Sequence, residues 1–426
     1  MSHAAVLPTP PTPPAHPLPH EARLDRLAEV AVRVGLGLAP GQEVVMTAPV
    51  NALPLARRIT EHAYRAGASL VTTLLSDEQA ALMRFEHARP EAFDTAPGWL
   101  FDGMAAAFRR GAARLAIGGD DPALLAGQDP DKIARANRAR SAAYRPALEL
   151  ITGFATNWSV VCYATPAWAR LVFPDLPEEE AVSRLWDAVF AASRVDAPDP
   201  VAAWRDHNAA LAARTRMLNG RRYAALHYRA PGTDLRVGLA DGHAWIGGSE
   251  RAKNGVTCNP NIPTEEVFTT PHAQRVEGMV RSTKPLSYQG TLIQDIEVRF
   301  EAGRIVSASA RTGEEVLARV LDTDEGARRL GEVALVPQSS PIAASGLLFF
   351  NTLFDENAAS HIALGQAYKT CFVDGEALSD GDLAARGANS SLIHIDWMIG
   401  SARMDVDGIA ADGTAEPLMR AGEWAA

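Results

Sequence analysis

The 426-residue sequence predicts an α/β N-terminal domain with a parallel sheet, followed from about residue 220 by a β-rich α+β C-terminal domain. Three observations carry this prediction. The length exceeds what one ordinary core serves and suits two. Residues 43–75 place an amphipathic helical stretch between two strand-like apolar runs, the pattern of parallel strands with a crossover helix. After about Asn219 the alternation gives way to short strand-like segments punctuated by glycine turns.

Element by element, residues 1–20 read as a disordered proline-rich leader without the basic start and apolar core of a signal peptide. Regular structure begins near Glu21. Leu24, Leu27, Ala31 and Val34 recur at helical spacing, and Gly35 can end that helix. Strands at 43–48 and 69–75 flank a helix with Leu55, Ile59 and Ala63 on one face. Residues 114–118 and 158–164 read as further strands, with helical Ala/Arg-rich stretches between and after them, including 178–217. Residues 21–220 thus form the first unit and 221–426 the second. In the second, 225–228 and 235–239 alternate around Pro231 and Gly232, as in a hairpin. Strands follow at 293–300 and 304–309, and Thr312 with Glu315 has the spacing of a capping box opening a helix that ends near Leu330. No internal repeat and no glycine-rich phosphate loop of standard spacing occurs, so nucleotide binding has no support.

The composition, 47% hydrophobic and 22% charged, is that of a globular chain able to bury large cores. A formal net charge of −10 leaves no positive field for nucleic acid or anionic lipid. No apolar run approaches the ~20 residues of a membrane span. Cys162, Cys258 and Cys371 lie far apart with no CxxC pair, which argues against a disulfide framework and a zinc knuckle. They read as small buried hydrophobes of a reducing compartment, and the protein as cytoplasmic.

Four polar clusters interrupt apolar segments in the second half. In 261–268 the adjacent Glu265 and Glu266 precede a strand start, so alternation sends one inward and the other to solvent. In 329–336, Glu332 stands at the mouth of the apolar run 333–336, where a carboxylate is costly unless paired or bound to metal. In 354–368, Asp355 and Asn357 can cap a helix, on whose face His361, Gly365 and Tyr368 would follow at i, i+4 and i+7, with Glu356 on the turn leading in. In 391–401, His394 and Asp396 lie two apart on a strand and share a face, a metal half-site, while Ile393, Ile395 and Trp397 face a core. A carboxylate-rich set with two histidines suits a pair of divalent ions ~3.5–4 Å apart that share a bridging carboxylate.

These clusters, together with the segments 232–239, 243–248, 281–286 and 404–409, resemble the thermophilic-type metallo-aminopeptidase family, that of aminopeptidases T and S. The likeness extends in outline from about Glu21 to the end. It implies metal ligands at Glu266, Glu332, Glu356, His361, His394 and Asp396. Glu332 would also take part in catalysis, and Tyr368 would steady the oxyanion. It further implies release of N-terminal residues from peptides with a free amino terminus, a homodimer, and two divalent ions drawn from zinc, cobalt, manganese or magnesium. Two other readings remain open at this point. One is a two-metal hydrolase of another amide or ester, against whose phosphate version stands the lack of an arginine cluster. The other is a non-catalytic, metal-stabilised protein.

Overall fold

The computed structural model describes residues 18–121, 123–125, 127–288 and 291–425. The leader expected over 1–20 therefore lies outside the described residues up to 17, and the first helix, His20–Val30, already includes its last position.

In the N-terminal part a four-stranded parallel sheet has the order Leu70–Ser76, Glu43–Pro49, Ala113–Gly118, Trp158–Cys162. Side-chain alternation along its second strand shows why the sheet is covered twice. Val44, Met46 and Ala48 pack with Leu24, Leu27, Leu55 and Ile59 of the helices on one face. Val45 points the other way, into Phe101, Met104, Phe108, Ala147 and Ile151. The 70–76 strand is the sheet edge, which leaves Leu70 and Leu75 about half exposed despite their apolar run. The stretch expected as helical over 178–217 is two helices, Glu178–Ala192 and Pro200–Arg221. Between them the chain turns at Arg194, whose φ of 59° is left-handed.

Beyond Arg221 the structure is strand-rich. Eight antiparallel strands run Arg304–Ser309, Glu297–Glu301, Pro271–Arg281, Thr233–Leu239, Ala225–Ala230, Asp405–Ile409, Ala415–Arg420, Glu423–Trp424. The expected hairpin is present: Ala230 pairs with Thr233, leaving Pro231 and Gly232 as a two-residue turn, with Gly232 at φ 80°. The capping box is not. Gly313, with φ 75°, is the N-cap residue and makes no side-chain cap, and the helix Glu314–Leu321 ends well before Leu330. Asp324 opens the next turn: its carboxylate accepts from the N–H groups of Ala327 and Leu392 at 2.8 and 2.6 Å and caps the 3-10 turn Glu325–Arg328 that precedes the next strand.

Segments of the second half also pack into the first. Ile262, Ile342, Phe349, Phe354 and Ala358 belong to the same core cluster as Leu24 and Val44. The Trp168 indole N–H donates to the Phe349 carbonyl at 2.5 Å. The residues just ahead of Glu266 and around Glu356 are therefore seated against the helical part.

Asp407 supplies a stability prediction. It is 4% exposed and receives Arg229 and Arg420, each at 2.5 Å. Burial alone would raise its pKa, but the two guanidinium groups outweigh burial and hold it below the usual carboxylate range. A depressed folded-state pKa contributes stability that is present above the unfolded value and lost as pH falls through the folded one. Asp407→Asn should therefore lower stability by about 1–3 kcal/mol at neutral pH. In denaturant titrations its deficit against the wild type should shrink below about pH 4. A deficit that stayed constant with pH would remove the ion pair as its cause.

Candidate metal centre

A second, four-stranded antiparallel sheet carries the polar clusters, in the order His394–Met398, His361–Gly365, Leu330–Leu335, Val267–Thr269. Its strands are apolar enough to be buried, and alternation divides their side chains. Val333, Leu335, Ile362, Leu364 and Trp397 enter the core of the strand-rich region. The alternate positions present Glu332, His361, His394 and Asp396 to the opposite face. Register brings these together. Ala363 lies between Glu332 on one neighbouring strand and Asp396 on the other, and Gly365 stands opposite His394. Small residues on the middle strand leave the space into which the flanking side chains reach. At Gly365, with φ 100°, a Cβ would come 2.1 Å from the Ile393 carbonyl oxygen, so glycine is required there.

The six residues singled out in the sequence converge around this face. His361 Nε2 lies 3.2 Å from a Glu266 oxygen and 3.5 Å from a Glu332 oxygen. His394 Nε2 lies 3.8 Å from the other Glu332 oxygen and 3.4 Å from Asp396. Ligand atoms thus fall into two groups, Glu266–Glu332–His361 and Glu332–His394–Asp396, each with all its atoms within 4.8 Å of one another. Glu332 belongs to both. Glu356 stands in neither group, but its charge interacts with Glu266, Asp396, His361 and Glu332. It lines a cleft with Asp396, Pro285, Leu286 and Phe350.

Electrostatics show what the cluster requires. Burial, with the neighbouring carboxylates, raises Glu332 to about 7 and pushes Glu356 far above the ordinary range. Burial would lower both histidines, but the facing carboxylates prevail, taking His394 up to about 9 and His361 well above its usual value. Asp396 moves the other way, because the pull of His394 and His361 exceeds the cost of its burial. The Nδ1 atoms of His361 and His394 face the carbonyls of Ala359 and Gln366 at 3.2 and 2.8 Å, so each Nδ1 is the donor. In a neutral ring this leaves the Nε2 lone pair directed at carboxylate oxygens. Two acceptors face each other favourably only with a cation between them, either the extra proton that the raised pKa values describe or a metal ion in its place. A ring oriented through Nδ1 by a carbonyl is the usual arrangement of a metal-binding histidine. The donor set therefore fits divalent ions.

Three expectations need correction. His361, Gly365 and Tyr368 do not share a helix face: 361–365 is a strand, and Tyr368 lies in the loop beyond it. The phenol still reaches the site from there, its ring 4.6 Å from that of His394 and 42% exposed. Partial burial and then the carboxylates of Glu332, Asp396 and Glu356 raise its pKa, so the hydroxyl keeps its proton. Second, Glu265 does not face solvent. It is 4% exposed beside Arg194, because the pair precedes the strand and is not bound by strand alternation. Third, Asn351 caps the short helix Thr352–Asp355, while Asp355 and Asn357 hold other segments. Arg194 and His207 escaped sequence reasoning, since nothing local connects them with residues some sixty or seventy positions later.

A buried set of carboxylates and imidazoles on one face of a sheet, beside a cleft, has the donor chemistry of a divalent-metal centre. The model of the thermophilic metalloprotease family (M29) matches residues 20–424. Aminopeptidase T of Thermus thermophilus is 58% identical over 401 residues, 94% of this chain and 98% of its own. Aminopeptidase T of Thermus aquaticus is 56% identical over 401 residues, with the same shares covered. The solved structure of wild-type AmpT from Thermus thermophilus superposes with a TM-score of 0.91 at 57% identity, covering 96% of this chain and 100% of that one. The chain belongs to the thermophilic metalloprotease family and is a metal-dependent peptide-bond hydrolase. Among the described residues no helix is long and apolar enough to cross a membrane.

Proposed function

We propose that the protein is an aminopeptidase whose site holds two divalent ions sharing Glu332. The observation that carries this reading is the meeting of two ligand groups on that one carboxylate. Glu266 and His361 would serve one ion, and His394 and Asp396 the other, with Glu356 completing the shell. The donors accept zinc, cobalt, manganese or magnesium. Ions held there would supply an acidified water and polarise the scissile carbonyl. Glu332, as the carboxylate common to both ligand groups, would take and return the proton of the attacking water. Tyr368 offers a neutral O–H to the oxyanion developing on the carbonyl. The free amine of a peptide would sit against a carboxylate or an ion.

The same reading divides the chain near residue 220, with 21–220 as an α/β unit and 221–426 supplying every ligand. It takes the protein as a cytoplasmic homodimer whose facing subunits limit access to short peptides. The names of the relatives support aminopeptidase action, and their near-complete coverage supports its transfer to this chain.

Turnover of a chromogenic amino-acid amide, followed with metal analysis, tests the proposal. Activity should vanish on chelation and return fully only with two equivalents of a divalent ion per chain. Full recovery at one equivalent would overturn the shared-ligand reading. Tyr368→Phe should lower kcat by about 10²-fold, the usual cost of an oxyanion donor, at unchanged metal content. An ion lost with the hydroxyl would make Tyr368 a ligand instead.

A further inference from the structure

The residues immediately ahead of Glu266 are held from three directions. One guanidinium nitrogen of Arg194 lies 2.7 and 2.9 Å from the two carboxylate oxygens of Glu265. The same nitrogen lies 3.0 Å from His207 Nδ1, and His207 Nε2 donates to the Thr264 carbonyl at 2.8 Å. The Glu265 backbone N–H donates to Asn357 Oδ1 at 2.7 Å. Asn357 follows Glu356 directly, is fully buried, and donates through Nδ2 to the Leu353 carbonyl at 3.0 Å. One hydrogen bond thus ties the segment carrying Glu266 to the segment carrying Glu356.

Arg194 is itself held in place. Its guanidinium stacks 4.9 Å from the centre of the Trp204 ring, and its backbone takes a left-handed conformation costly for any residue but glycine. A buried ion pair is weak evidence of added stability, because desolvation offsets its attraction. What it does supply is a fixed geometry. Two acidic side chains on neighbouring residues, one drawn toward Arg194 and the other toward His361, cannot exchange roles while the guanidinium holds Glu265.

We propose that Arg194, Glu265 and Asn357 are positioning residues for the metal centre, so that the helical part of the chain, which lends no ligand, sets the affinity of the site for its ions. This rests on Glu266 and Glu356 acting as ligands. Loss of an outer partner of a metal ligand costs about 10–100-fold in metal affinity, and residues that act through the backbone beside the ligand should fall toward the low end of that range. Because Arg194 meets both Glu265 oxygens through a single nitrogen, a lysine ammonium can replace it in part.

The test measures Zn2+ affinity of the full-length protein by competition with a chromogenic chelator, alongside thermal melting of the metal-free form. Arg194→Met should weaken binding about tenfold or more, Arg194→Lys by clearly less, and Glu265→Gln in the same direction as Arg194→Met. Asp407→Asn, in the other sheet, is the comparison for a purely structural loss: it should lower the melting temperature and leave Zn2+ affinity unchanged. Should Arg194→Met fail to fold, Arg194→Lys and Glu265→Gln carry the test. Wild-type Zn2+ affinity in Glu265→Gln, or in an Arg194→Met protein that melts as early as Asp407→Asn, would overturn positioning alone. Failure of the wild type to bind Zn2+ would overturn the metal reading beneath it as well.

Discussion

Replacing Glu332 with Gln should abolish peptide hydrolysis, with a loss of about 10³-fold or more in kcat/KM, or ~4 kcal/mol of barrier. The amide keeps the volume and fits the same strand position, so the fold should survive. What disappears is the negative charge at the one point where two ligand groups meet: its two oxygens lie 3.5 and 3.8 Å from the imidazoles of His361 and His394. Two cations brought close together need shared negative charge between them, and no other carboxylate belongs to both groups. Metal content should therefore fall along with activity, and adding excess ion should not restore the rate. Activity within tenfold of the wild type, in a protein that still binds two ions, would exclude Glu332 from both bridging and proton transfer.

N-acetylation of a good peptide substrate should reduce its cleavage by about 10²-fold or more, with no internal cuts in its place. The amide chemistry of an internal bond equals that of the first one, so nothing in the cluster by itself limits cleavage to the terminus. Restriction comes from what the terminus carries. Glu356 and Asp396 line the cleft and offer carboxylate oxygens against which a terminal ammonium can sit. Acetylation removes that charge and, in the proposed dimer, adds bulk where the facing subunit would limit access. The comparison uses one peptide in two forms at equal concentration, with products resolved by mass. Internal cleavage of the acetylated form at a similar rate would leave a metallopeptidase and remove the aminopeptidase reading.

Local patterns made much of the scaffold legible. The 43–48 strand, the helix through Leu55, Ile59 and Ala63, and the hairpin around Pro231–Gly232 depend on side-chain period and turn chemistry, which neighbours in sequence control. His394 and Asp396 were legible as a pair because a strand puts alternate residues on one face whatever surrounds it. The segment 354–368 misleads for the opposite reason. Its Ala-rich composition favours a helix locally, yet residues 361–365 are claimed by hydrogen bonds to Leu330–Leu335 on one side and His394–Met398 on the other. Tertiary pairing overrode propensity there, as it readily does in a central strand.

By itself the sequence determined which residue types were available, their spacing, and the two textures of the chain, since these follow from covalent order and local periodicity. Only the tertiary structure decided that Ala363 and Gly365 would open the space between Glu332, Asp396 and His394. Only it decided which of two adjacent glutamates would turn to His361 and which to Arg194. The physical reason is one of range. Alternation and capping act over a few residues, whereas the choice between Glu265 and Glu266 is made by a guanidinium 71 positions earlier in the chain, brought there only when the helical part packs against the strand that follows.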